Sequence, residues 1–129
     1  MSSRLELTWK YSASHSPPAP VMQLKLGGSS VDLALDTGFA GGILLPLPLF
    51  ESFGLLSSLS PDEYHLVLPD SRRLPLYTSK ENVKVGEVAF RAEVHSSPLV
   101  NRRVAGRSFL GRFVASLDGP EEQLRIRFP

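Results

Sequence analysis

Asp36, Thr37 and Gly38 stand inside an otherwise apolar stretch, LALDTGFAGGILLP, residues 33–46. An ionised carboxylate is costly to bury. Asp36 therefore either caps a turn through Thr37 and Gly38 or is a carboxylate placed for acid–base chemistry. Other chemistries have weaker support. The chain has no Cys, which removes thiol nucleophiles, disulfide staples and zinc–thiolate sites. His15, His65 and His95 are far apart and lack ligand spacing, so no metal site is expected. His65 and His95 read as ordinary strand residues. His95-Ser96-Ser97 places a base beside hydroxyls in sequence, but adjacency along the chain does not aim one at the other. No P-loop Lys follows the Gly106–Gly111 stretch. Arg102, Arg103, Arg107 and Arg112 form a basic cluster that reads as a solvated face.

The elements that must position Asp36 are mostly short strands. VMQLKLGGSSVDLALD, residues 21–36, predicts a hairpin turning at Gly27-Gly28, because glycine tolerates positive φ. On its return strand Val31, Leu33 and Leu35 face one way, and Asp32, Ala34 and Asp36 the other. Asp36 is thereby the last residue of a strand. Asp32, on the same face, lies about 13 Å away at strand rise, too far to pair with it. ILL (43–45) reads as a short strand, and PLPLFESFGL (46–55) as a short helix with proline at its start and Gly54 near its end. Strand-like segments follow around EYHLVL (63–68) and RLPLYTS (73–79), with PDSRR (69–73) as the turn. ENVKV and EVAFRAEV form a further hairpin through Gly86. In VAGRSFLGRF (104–113), Phe109 and Phe113 are four apart, as on a helical face. A last hairpin, VASLDGPEEQLRIRF, turns at Asp118-Gly119. RLELTWKY (4–11) is an N-terminal strand, and SASHSPPAP (12–20) an extended connector within the same domain. Many short strands, turn residues and little helix argue for an all-β domain, closed or sandwiched.

The length of 129 residues suits a single domain, with residues 1–20 as strand and connector and 21–129 as the core. A net charge of +1 with 21% charged residues predicts neither a nucleic-acid nor a membrane-surface partner. The N-terminus lacks the apolar core of a signal peptide, and no apolar run is long enough to span a bilayer. These features and the absence of Cys lead to the expectation of a cytoplasmic protein.

The order of three features carries a resemblance: DTGFAGGILLP after a strand, a central hairpin with a polar tip at about 65–77, and VAGRSFL leading into a short helix. From about residue 20 to 128 this resembles the retropepsin-like aspartic proteases, nearest to small single-domain prokaryotic members. The resemblance implies the acid protease fold, a closed β-barrel with one or two short helices. It implies an aspartic endopeptidase that hydrolyses peptide bonds and needs no cofactor or metal. Such chemistry uses two carboxylates that share one proton, because both cannot be ionised at close range. One acts as general base on a water, and the other donates toward the scissile carbonyl. Of five Asp, at 32, 36, 62, 70 and 118, only Asp36 precedes Thr-Gly. The second carboxylate must then be Asp36 of a second chain, so a C2 homodimer follows from the mechanism.

The resemblance assigns Asp36, Thr37 and Gly38 to catalysis, with Thr37 bracing the two loops across the axis and Gly38 turning the loop. Gly38, Phe39, Ala40, Val104 and the flap tip Pro69, Asp70, Ser71 and Arg72 would contact an extended peptide substrate. Gly106 and Arg107 would support the active loop. Three departures stand out. Phe39 occupies a position that is small in viral relatives, the flap tip has no glycine, and Ala40 stands where Arg107 would otherwise find an acidic partner. A catalytically silent, dimeric peptide-binding module of the same fold is the alternative function. For the terminal strands, two arrangements are open: interleaving with a second chain, or closing the chain's own sheet.

Overall fold

The computed structural model describes residues 6–14, 16 and 18–129. Arg4 and Leu5 of the expected first strand, and His15 and Pro17 of the connector, lie outside the described residues.

The N-terminal strand β1 is Glu6–Lys10, with Leu7 and Trp9 on its inward face. The expected hairpin forms from β2 (Val21–Leu26) and β3 (Ser29–Leu35), in register from Val21↔Ala34 to Leu26↔Ser29. Both turn glycines take positive φ, 59° at Gly27 and 83° at Gly28, as the primed two-residue turn of a twisted hairpin requires. Met22, Leu24, Leu26, Val31 and Leu33 are buried in the core. β4 is Ile43–Leu44, followed by helix α1, Leu47–Ser52, whose Phe50 is fully buried. Gly54, at φ 72°, ends that helix and opens a 3-10 turn over Leu55–Ser58.

β5 (Tyr64–Val67) pairs with the start of β6. Here the structure differs from the sequence expectation. RLPLYTS and ENVKV are not two strands but one, the 13-residue β6, Arg73–Val85. Its first part pairs with β5 and its later part with β7, Val88–Ser96, from Tyr77↔Ser96 to Val85↔Val88. Two different partners, each in register, keep the chain extended through Ser79 and Lys80, where no glycine or proline breaks it. Pro75 sits where β6 has only β5 beside it, so the N–H it lacks need not leave a gap in a second ladder.

β8 is Val104–Ala105, and α2 is a single turn, Arg107–Leu110. Phe109 and Phe113 meet edge-on with centroids 5.2 Å apart, and Phe90 and Phe128 complete the cluster. β9 (Val114–Asp118) and β10 (Gln123–Arg127) form the last hairpin.

The seven-stranded sheet runs β2-β3-β8-β4-β7-β6-β5, and β2 also pairs with β6. That extra pairing closes β2, β3, β8, β4, β7 and β6 into a ring, with β5 hanging outside it as the free arm of a flap. The fold is all-β with two short helices. Of the two arrangements open for the terminal strands, the chain adopts its own pairing: β1 runs antiparallel to β10, Glu6↔Arg127 to Lys10↔Gln123, giving a separate sheet β1-β10-β9. Leu124 and Ile126 of β10 are fully buried beneath it. Among the described residues no helix is long and apolar enough to cross a membrane.

Candidate active site

Asp36 follows directly on β3, and its backbone keeps the strand's course one residue further. Its N–H donates to Ala105 O at 3.0 Å, extending the parallel β3–β8 pairing. Phe39 N–H then donates back to Asp36 O at 3.2 Å, and the chain turns. Within that turn the Gly38 N–H donates to Asp36 Oδ1 at 2.9 Å. The carboxylate is therefore held by the loop it begins, and it stays 30% exposed rather than buried. Arg102 Nη1 stands 3.7 Å from Asp36 Oδ2. Thr37 is exposed, and its hydroxyl makes no hydrogen bond among the described residues.

Behind this loop α2 begins, and three consecutive amides tie the two together. Gly106 N–H donates to Gly42 O at 2.7 Å, Arg107 N–H to Phe39 O at 2.8 Å, and Ser108 N–H to Gly41 O at 3.1 Å. The approach is so close that a Cβ on Gly106 would stand 2.3 Å from Gly41 O and 2.8 Å from Phe39 O. Arg107 thus meets the active loop through its backbone. Its side chain, lacking an acid at Ala40, makes no ion pair among the described residues and lines a cavity instead.

Two cavities flank the loop beneath the flap, with the Phe39 ring on the wall of both. The smaller, about 230 Å³, contains Asp36 and Arg102 and is otherwise mostly apolar, walled by Leu44, Leu66, Leu68, Leu74, Leu99 and Val104. The larger, about 450 Å³, opens between Gly38–Gly41 and β5, with Tyr64, Glu93, His95, Arg107 and Ser108 around it. The larger falls within the roughly 300–1,000 Å³ common for ligand pockets, and the smaller lies a little below it.

The structure thus brings together Asp36, Gly38, Phe39, Ala40, Val104, Gly106 and Arg107. Pro69, Asp70, Ser71 and Arg72 form the exposed hairpin tip, and none of the four lines either cavity. The flap faces the cleft with its strands instead, through Tyr64, Leu66, Leu68, Leu74 and Leu76. The tip is a three-residue loop closed by Leu68 N–H to Arg72 O and Ser71 N–H to Leu68 O. Ser71 takes φ 68°, the left-handed position of such loops that usually holds glycine. The Asp70 carboxylate accepts from the Arg72 side chain and backbone, fixing that turn.

His95 differs from its reading as an ordinary strand residue. It is 1% exposed, because the end of β7 is sandwiched between β4 and β6 and covered on both faces. Nδ1 is 2.7 Å from Thr78 Oγ1, whereas Nε2 is buried without a partner. Phe39 meets the imidazole edge-on at 5.8 Å and Tyr64 stacks at a tilt at 5.2 Å. Burial pulls the imidazole down to about 4, opposed by the nearby Glu93 carboxylate. Tyr64 is pushed up to about 12, chiefly by its hydrogen bond with Glu93, then by burial and by the charges of Glu93 and Asp62. The period-2 pattern of EYHLVL already put Tyr64, Leu66 and Leu68 on one face. The sequence placed His95 beside two serines but gave no sign of its burial, and nothing marked Glu93. Among the described residues no three His, Asp or Glu side chains converge as a metal site would need.

The architecture is similar to the crystal structure of a retropepsin-like aspartic protease from Rickettsia conorii, with a TM-score of 0.72 over 98% of this chain and 92% of that one, at 17% identity. At that identity the likeness establishes a retropepsin-like fold. No family model matches the sequence, and no curated protein matches it.

Proposed function

We propose that the protein is an aspartic endopeptidase, active as a homodimer in which Asp36 of each chain supplies half of a carboxylate dyad. The observation that carries this reading is the placement of Asp36: at a strand end, its Oδ1 held by the Gly38 amide, part exposed, at the base of a flap-covered cleft. One ionised Asp36 takes a proton from a water as that water attacks the scissile carbonyl. The protonated Asp36 of the partner hydrogen-bonds the carbonyl oxygen and stabilises the charge that develops there. Collapse of the tetrahedral species passes a proton to the leaving amine. Thr37, exposed and without a hydroxyl partner among the described residues, is free to bond across the axis. This chemistry calls for no metal or cofactor, and a cysteine-free composition suits a cytoplasmic protein.

A dimer also answers a packing question. β9 is an edge strand, and Leu117 lies opposite the fully buried Leu124, on the inner face of its sheet. Yet Leu117 is 59% exposed, because β9 overhangs the core. An unpaired edge with an uncovered leucine favours pairing with another strand, and a second copy of β9 about a two-fold axis would supply it.

The test is cleavage of a peptide library by wild type and Asp36→Asn, alongside mass in solution. Cleavage by the wild type that is lost in Asp36→Asn, from a dimer, is expected. Equal cleavage by both proteins, or a strict monomer at working concentrations, refutes the reading. The glycine-free flap tip, with Ser71 held at positive φ, favours a second reading: a silent peptide-binding module. That reading predicts peptide binding without turnover across roughly pH 3–7, the window in which a carboxylate dyad shares a proton.

A further inference from the structure

The 450 Å³ cavity is unlike its apolar neighbour in one respect: two polar groups in it have complementary demands. Nε2 of His95 is buried with no partner, and such a group costs stability unless something hydrogen-bonds it. It points toward Gly41, where a Cβ would lie 3.0 Å from Nε2 and 2.5 Å from Phe39 Cζ. A side chain at residue 41 would clash with both, so glycine there lets the Phe39 ring edge and the imidazole pack together at the cavity wall, and a ligand reaches Nε2 past that edge. Thr78 Oγ1 fixes the tautomer. Its hydroxyl has no partner among the described residues other than Nδ1. If the hydroxyl donates to Nδ1, only one group, Nε2–H, is left unmet. The reverse arrangement strands both the Thr78 proton and the Nε2 lone pair. Nε2 therefore carries the proton, and the cavity presents a donor there. Glu93 lines the same cavity together with the Tyr64 phenol, and its carboxylate can accept several hydrogen bonds.

We infer that this cavity selects a glutamine or asparagine side chain of a bound peptide, with the amide carbonyl accepting from His95 Nε2–H and the amide NH2 donating to Glu93. The inference rests on the peptide-cleft reading above and adds specificity to it. An aliphatic side chain would leave both groups unmet. A carboxylate would satisfy His95 but stand against Glu93, with Arg107 only at the exposed rim. A lysine would satisfy Glu93 but bring no acceptor to His95. Of these side-chain types only the amide offers donor and acceptor together. His95 and Glu93 are thereby specificity-determining residues.

The experiment is a set of octapeptides, otherwise matched, in which each position in turn carries Gln, Leu, Glu or Lys. Cleavage is measured with the wild type, and binding with Asp36→Asn. At one position Gln should exceed Leu, Glu and Lys by roughly tenfold or more, as sites built to hydrogen-bond a substrate group reject analogues that lack it. His95→Phe and Glu93→Leu should each bring the Gln-to-Leu ratio toward one; the two variants guard against either failing to fold, and a ratio is insensitive to general loss of activity. The inference is overturned by no amide preference at any position, or by a ratio unchanged in both variants. Gln-selective binding to Asp36→Asn without wild-type cleavage would sustain the inference and overturn the protease reading. Cleavage without amide preference would do the opposite.

Discussion

Acidification should destabilise this protein through one buried imidazole. Burial draws His95 from its ordinary 6.5 down to about 4, with Glu93 opposing. Between those values the unfolded chain carries a proton on His95 that the folded chain does not. Stability therefore rises with pH across this window. It is fully present above about pH 6.5, falls as pH drops toward 4, and has no further His95 dependence below that. The difference converts to about 3 kcal/mol, a large share of the roughly 5–15 kcal/mol that holds a typical domain together. Urea unfolding at fixed protein concentration, at pH 7, 5.5 and 4.5, in wild type and His95→Phe, measures it. Carboxylates protonate in both proteins, so the difference between the two pH profiles isolates His95. The wild type should lose more stability than the variant as pH falls, and the His95 ring resonances should titrate near 4. Parallel profiles would refute the burial argument. The effect matters for the proposed chemistry, because a shared-proton dyad is expected to work in the acid range where His95 weakens the fold.

Three further outcomes follow from the geometry. Gly106→Ala would push a methyl into Gly41 O and Phe39 O, backbone atoms that cannot rotate away, and should cost about 1–3 kcal/mol in denaturant unfolding; an unchanged midpoint would contradict the close crossing of α2 behind the active loop. Ser71→Gly should raise stability by up to about 1 kcal/mol, since φ 68° strains an L-residue, and a fall in Tm would show that the Ser71 side chain contributes more than the strain costs. Leu117→Lys places a charge on the overhanging edge of β9; it should leave the chain's own stability within about 0.5 kcal/mol yet raise the dimer dissociation constant at least tenfold by sedimentation, and an unaffected dimer would move the seam away from β9.

Much of the fold was legible because strands announce themselves by period. The 21–36 hairpin, its Gly27-Gly28 turn and the inward set Val31, Leu33 and Leu35 follow from alternation and from glycine's tolerance of positive φ. The 81–94 hairpin through Gly86 was equally plain. The single strand β6 was not, because a pause in apolar alternation at Ser79 and Lys80 looks like a break unless the neighbouring strands are known. The turn that follows Asp36 was legible through DTGFAGG, and the short helix behind it through VAGRSFL. The flap's contribution was only half legible: its position was, but the residues that face the cleft come from the strands rather than from the tip.

The sequence by itself determined that Asp36 stands where a strand gives way to a turn and that only one such Asp-Thr-Gly exists, since these are matters of order and count. It determined also that Gly106 precedes a short helix. Only the tertiary structure decided that β1 pairs with β10 of its own chain, because either pairing satisfies the same alternating strands. Only packing buried His95, with Thr78 on one nitrogen and nothing on the other. Burial of a polar group depends on what crosses above and below it, and β4, β6, Phe39 and Tyr64 reach His95 from segments distant along the chain.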